Sequence, residues 1–333
     1  MRRYGSYLAG LIAGSLLTVA AAPASAQTKV RYVEVVRNLA YLPSYVAIAK
    51  GFFKDEGLDV TLSSAQGGDK AAALMLSGSA DITLVGPEVG VYVWNSESPE
   101  KLRIFCSLTG TSTNFLVARQ KPAAPFAWSM LKGKTLLGWR PGSTPELFLE
   151  YALKKQGLDL LKDLTLNTNI APPARLGAWL AGAGDYAIFS EPEVTILERD
   201  GKGAPLLFVG AEVGKVDYTL FMATGSYMKK NPQTIQAFTN AVYKAQRLSA
   251  GADPAELAKL LADFFPAVTE PQIAEAVKRY RAVDLWPADP RVTERAMETL
   301  QDILIQGGVQ EPAKRVKFAD LVDNSFGEAA MAK

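Results

Sequence analysis

The stretch Leu76-Ser-Gly-Ser-Ala-Asp81-Ile-Thr-Leu-Val-Gly-Pro87-Glu88-Val89 returns further along the chain as Leu180-Ala-Gly-Ala-Gly-Asp185-Tyr-Ala-Ile-Phe-Ser-Glu191-Pro192-Glu193-Val194. With a one-residue gap before the proline, the two copies share Leu, Gly, Asp, Pro, Glu and Val in order. A shorter echo lies upstream of each, Gly57-Leu58-Asp59 and Gly157-Leu158-Asp159. The aspartates at 81 and 185 stand 104 residues apart, too far for a solenoid repeat and about the length of a small α/β domain. The expectation is two similar lobes facing one another across a cleft, built to close on something.

Around the first copy, the pattern predicts strands at 29–36, 58–63, 82–85 and 102–108, alternating with helices at 43–53, 69–77 and 88–95. Around the second it predicts strands at 134–139, 164–168, 186–189 and 206–209, with helices at 145–156, 174–181 and 192–199. Such alternation reads as a parallel α/β sheet in each lobe. Pro145 suits a first helical turn, and Ser143 with Glu146 has the capping-box spacing. Beyond Met222 the pattern becomes a run of helices at 231–249, 253–263, 270–280 and 291–306, with a short one at 318–322. Their apolar stripes need a partner, so this tail is expected to pack back on the first lobe. Lobe I is then 27–110 plus 219–333, lobe II is 115–215, and the hinge crossings are 111–114 and 216–218.

Arg2 and Arg3 precede an apolar run over 8–22 that ends in Ala24-Ser25-Ala26. This is the pattern of a secretory signal cut between Ala26 and Gln27, and the run is too short and too diluted by Gly10, Gly14, Ser15 and Thr18 for a membrane span. The predicted segment 1–26 places the mature protein in the periplasm. The whole chain carries 36 Lys+Arg against 34 Asp+Glu, so losing Arg2 and Arg3 leaves it formally neutral, without the basic block that nucleic acid selects. Its single cysteine, Cys106, sits in an apolar strand-like run and reads as a buried core thiol. The absence of histidine excludes Ser-His-Asp and Cys-His sites, histidine-ligated metals and histidine acid–base chemistry. A monomer with no enzyme activity, no cofactor and no metal site is expected.

In open α/β sheets the binding crevice lies at the carboxyl ends of the strands. In the first lobe those loops offer Asn38 and Tyr41, then Gly67-Gly68, then Glu88. In the second they offer Trp139, Arg140, Ser143, Thr144 and Glu191, with Tyr218 at the second crossing. The small residues at 67–68 and 142–144 stand at helix starts, where unpaired N–H groups favour an anion. Arg140 can clamp a carboxylate, sulfonate or phosphate. Glu88 and Glu191 favour a cation or an N–H-rich ring instead, and Tyr41, Trp139 and Tyr218 can stack on or cover an apolar body. The residues alone leave the ligand's charge open.

The strings Tyr41-Leu-Pro43-Ser-Tyr-Val-Ala47-Ile-Ala-Lys-Gly51-Phe52-Phe53-Lys-Asp-Glu-Gly57-Leu58-Asp59-Val60, Leu76-Ser-Gly78-Ser-Ala-Asp81, Leu131-Lys-Gly-Lys134 and Gly142-Ser143 resemble the periplasmic solute-binding proteins of ABC transporters for sulfonates, nitrate and thiamine-precursor pyrimidines, the SsuA/NMT-like family. The resemblance covers nearly the whole mature chain. It implies a type II periplasmic-binding-protein fold of two Rossmann-like lobes, a small-molecule ligand, and an ABC permease with its ATPase subunits as partners. In pyrimidine-binding relatives an acid and aromatic rings hold the heterocycle, a role matched here by Glu191 with Tyr41 or Trp139. In sulfonate-binding relatives hydroxyl residues and helix N-termini hold the anion, a role matched by Gly67-Gly68 and Ser143-Thr144. The fold also hosts a pyrimidine synthase and a desulfinase that use histidine and cysteine, which this chain lacks at any comparable place. A ligand-sensing subunit of a membrane receptor is the third reading that the resemblance allows.

Overall fold

The computed structural model describes residues 27–333; the predicted signal segment 1–26 lies outside the described residues. The first lobe runs β1 (Thr28–Glu34), α1 (Leu42–Ala49), α2 (Phe52–Asp55), β2 (Leu58–Ser64), α3 (Gly68–Leu76), β3 (Ile82–Val85), α4 (Pro87–Asn95) and β4 (Leu102–Thr109). The chain then crosses to the second lobe: β5 (Phe115–Ala118), β6 (Thr135–Leu137), α5 (Thr144–Lys155), β7 (Thr165–Asn167), α6 (Arg175–Leu180), β8 (Tyr186–Phe189), α7 (Glu193–Arg199), β9 (Ala204–Phe208) and α8 (Gly210–Val213). It returns through β10 (Thr219–Thr224) into α9 (Gly225–Lys230), α10 (Pro232–Gly251), α11 (Pro254–Leu261), α12 (Glu270–Ala282), α13 (Glu294–Gln306), α14 (Phe318–Leu321) and α15 (Ser325–Met331).

The two sheets have one topology. The first is ordered β2-β1-β3-β10-β4 and the second β7-β6-β8-β5-β9. Each contains one antiparallel strand, β10 between β3 and β4 and β5 between β8 and β9. The all-parallel expectation is corrected here. Each inserted strand is the first one laid down after a crossing, so it enters its sheet from the side of the other lobe and runs against its neighbours.

The repeated aspartate does one job twice. Asp81 accepts the backbone N–H of Arg31 at 2.8 Å and donates its own N–H to the Arg31 carbonyl at 2.9 Å. Asp185 makes the same pair with Thr135, at 2.9 and 2.8 Å, so the motif ties the start of β3 to β1 and the start of β8 to β6. Gly57 and Gly157, with φ of 77° and 78°, each end a helix in the left-handed conformation that glycine adopts without a Cβ penalty.

Between sheet and tail, Tyr32, Phe105 and Phe221 pack on Phe238 of α10 with ring centroids 5.1–6.1 Å apart, and all four side chains are fully buried. The tail also touches the second lobe. α12 packs on α7, and α13 contacts both α4 and α5. Among the described residues no helix is long and apolar enough to cross a membrane.

Candidate functional site

The carboxyl ends of the two sheets face each other and enclose a cavity of about 380 Å³. Ten of the eleven residues singled out in the sequence line it. Asn38 and Tyr41 come from the turn after β1, Gly67 and Gly68 from the start of α3, and Glu88 from the first turn of α4. From the second lobe come Trp139, Arg140, Ser143 and Thr144, between β6 and α5, and Tyr218 stands at the return crossing. Val35, Val89, Tyr92, Val93 and Pro172 add apolar wall, and Asn114 adds an amide.

Several polar groups in this wall bond across the cleft. The Thr144 N–H donates to the Glu88 carboxylate at 3.2 Å, and the Thr144 hydroxyl donates to its other oxygen. Glu88 thus caps α5 from the opposite lobe. Gly86 makes this possible, because a Cβ there would collide with the Glu88 carboxylate and the Thr144 hydroxyl. Burial raises the Glu88 pKa, and its Thr144 bonds oppose that shift. The Tyr92 hydroxyl donates to the Gly142 carbonyl at 2.7 Å, and Asn38 Nδ2 donates to Ser190 Oγ at 3.0 Å.

Arg140 is engaged. Its guanidinium makes a two-pronged pair with Asp69 of α3, at 3.0 and 3.1 Å, on an exposed rim of the cavity. The capping box read from Ser143 and Glu146 does not form. The Ser143 hydroxyl donates to the Arg140 carbonyl at 2.6 Å, and Glu146, fully buried, accepts from the Trp139 N–H. The Ser143 N–H that a capping-box glutamate would accept donates to the Arg140 carbonyl at 3.2 Å, and Glu146 turns back toward β6.

Glu191 lies outside the cavity. Its buried carboxylate accepts the Thr195 N–H and hydroxyl at 3.0 and 3.1 Å and pairs with Arg279 of α12 at 2.9 Å. Burial pushes it up to about 7, against the pull of Arg279. A helix from the tail occupies the acid that the sequence offered to a ligand.

Two cavity-lining polar atoms have no partner. Asn114 gives its Nδ2 to the Tyr218 hydroxyl at 3.0 Å and leaves Oδ1 unpartnered, and the Trp139 Nε1 is also unpartnered. Buried polar groups of this kind are normally satisfied, so a ligand with one donor and one acceptor answers both. Asn114 and Tyr92 escaped the sequence reading. Asn114 sits in the crossing itself, and Tyr92 is one turn beyond Glu88 on the same helix face, the one signal that marked it.

Residues 38–257 match the family described as NMT1/THI5 like. The Bacillus subtilis (strain 168) protein YtlA, which carries the name of a binding protein, is 38% identical over 302 residues, spanning 90% of this chain and 89% of its own. In three dimensions the chain is similar to the alkanesulfonate-binding protein SsuA from Xanthomonas axonopodis pv. citri bound to MOPS, with a TM-score of 0.73 at 18% identity over 91% of this chain and 100% of that one. It is similar also to the periplasmic nitrate-binding protein NrtA from Synechocystis PCC 6803, with a TM-score of 0.71 at 15% identity over 92% and 89% of the two chains. These structural likenesses show the fold, that of two-lobed periplasmic binding proteins.

Proposed function

The chain belongs to the NMT1/THI5-like family, and on that premise we propose that it is the substrate-binding component of an ABC importer, capturing a small organic molecule by closing its two lobes. The observation that carries the reading is the cavity itself. It lies between the lobes, and the bonds that seal it, Thr144 to Glu88, Tyr92 to Gly142 and Arg140 to Asp69, all run from one lobe to the other. A ligand that touches both lobes realises its full binding free energy only when they are shut, so binding selects the closed form. That form is what a permease, with its ATPase subunits, recognises at the membrane.

The reading places the protein in the periplasm as a monomer that binds without transforming its ligand. Tyr41, Trp139 and Tyr218 provide aromatic surface for a ring or an alkyl body, and Glu88 and Asn114 accept from N–H or O–H groups. A pyrimidine-like heterocycle suits that end of the cavity. A sulfonate-like anion suits it less, since the Arg140 charge is spent on Asp69.

Thermal unfolding of the purified, ligand-free protein against sulfonates, nitrate, carboxylates, pyrimidines and other N-heterocycles tests the proposal. A true ligand at about 100 times its Kd adds roughly 2.7 kcal/mol to the native state, a clear rise in Tm. If no compound of any class raises Tm, the binding role falls.

A further inference from the structure

Beside the main cavity lies a smaller chamber of about 160 Å³. It is also an interlobe space, walled by Arg37, Asn38 and Gln66 of the first lobe and by Trp139, Arg175 and Glu193 of the second. Trp139 and Asn38 line both spaces, so the chamber adjoins the cavity and opens with it when the lobes part.

Its distinctive group is Arg175, the first residue of α6. The residue is 3% exposed, and its guanidinium stacks 4.7 Å from the centre of the Trp139 ring. Nη2 donates to the Ile188 carbonyl, and Nη1 has no partner. Among the described residues no carboxylate lies within 4.0 Å of this guanidinium, although arginines elsewhere in the molecule are paired at that distance. A buried charge without a counter-ion is costly. Burial lowers the Arg175 pKa to about 10, and Glu146 and Glu193 pull it only partly back. Burial in turn raises both acids, Glu146 to about 8, and neither bonds to the guanidinium. Arg37, the other cation of the chamber, is committed to Glu34 at 3.0 Å.

We propose that this chamber is a subsite for a carboxylate on the captured ligand, held by Arg175 Nη1 and Trp139 Nε1 while the ligand's body fills the main cavity. The inference rests on the capture reading above and narrows its substrate class. Two unpartnered donors, close together on a guanidinium and the indole stacked on it, match the two oxygens of a planar carboxylate. A sulfonate's three oxygens in a tetrahedral array fit this planar pair of donors less well. A neutral ring ligand leaves both donors orphaned.

The test measures Kd for aromatic carboxylates, each paired with its carboxamide and its sulfonate, by calorimetry on the purified protein. For the best carboxylate, we expect binding at least 10-fold tighter than both its partners. Arg175→Met collapses that ratio toward one, and Trp139→Phe, which removes only the indole N–H and keeps an aromatic wall, lowers it several-fold. Glu193→Gln raises it by removing the competing acid. If Arg175→Met fails to fold, the Trp139→Phe and Glu193→Gln pair still decides. Carboxamides or sulfonates binding as tightly as carboxylates, or a ratio unmoved in these variants, overturns the subsite and leaves the binding role standing. Failure of every probe overturns both.

Discussion

Glu146 shows how far one side chain is constrained by its surroundings. It is fully buried, one oxygen accepts the Trp139 N–H, and the other has no partner. Burial pushes its carboxyl to about 8, whereas an unfolded glutamate titrates near about 4.3. Between those values the folded chain keeps a proton that the unfolded chain has released. The stabilisation is therefore complete below about pH 4 and is lost as pH rises to about 8, with a slope of up to about 1.4 kcal/mol per pH unit. Glu146→Gln is expected to flatten this loss, read as denaturant midpoints at pH 5 and pH 8, and an unchanged slope contradicts the assignment. In the sequence Glu146 looked like a capping residue because Ser143 stands three positions before it. The competing partner is the Arg140 carbonyl, which takes both the Ser143 N–H and its hydroxyl, a turn that capping-box spacing alone does not show. Arg175 was missed for a related reason. It follows β7, at the carboxyl end where binding residues gather, but only the fold reveals that its Nη1 is left without a partner.

At the scale of elements, the repeat was the legible part. Strand and helix alternation around Asp81 and Asp185 carried over into two sheets of one topology. The direction of β5 and β10 was not legible, since hydrophobic periodicity is the same whichever way a strand runs. The reach of the tail was not legible either. α12 places Arg279 against Glu191 at 2.9 Å, and the Tyr280 hydroxyl of the same helix accepts the Glu191 N–H at 2.9 Å and donates to the Thr113 carbonyl at 3.0 Å. One helix of the tail is thus tied to the second lobe and to a crossing at once. Removing one partner of a buried ion pair strands the other. Arg279→Ala is expected to cost about 2 kcal/mol at pH 8, and less at pH 5, where Glu191, already pushed to about 7, takes up a proton instead of remaining charged. Chemical denaturation at the two pH values checks it, and an equal cost at both contradicts the pairing as the cause.

The whole molecule is two matched lobes that meet through polar bonds around the cavity and, away from it, through the packing of α12 on α7 and of α13 on α5. Asp69 and Arg140 form an exposed pair, the kind worth at most about 1 kcal/mol, and the bonds from Tyr92 to Gly142 and from Asn38 to Ser190 are single hydrogen bonds, each worth about 1 kcal/mol net. Such contacts are weak enough to break and re-form, and leave room for a ligand to decide the balance. In the proposed capture, a bound small molecule holds the lobes shut around the 380 Å³ cavity. Small-angle X-ray scattering of the protein, ligand-free and then saturated with the compound that most raises its Tm, tests it most directly. A smaller radius of gyration is expected with ligand; an unchanged radius at full saturation rules out capture by closure.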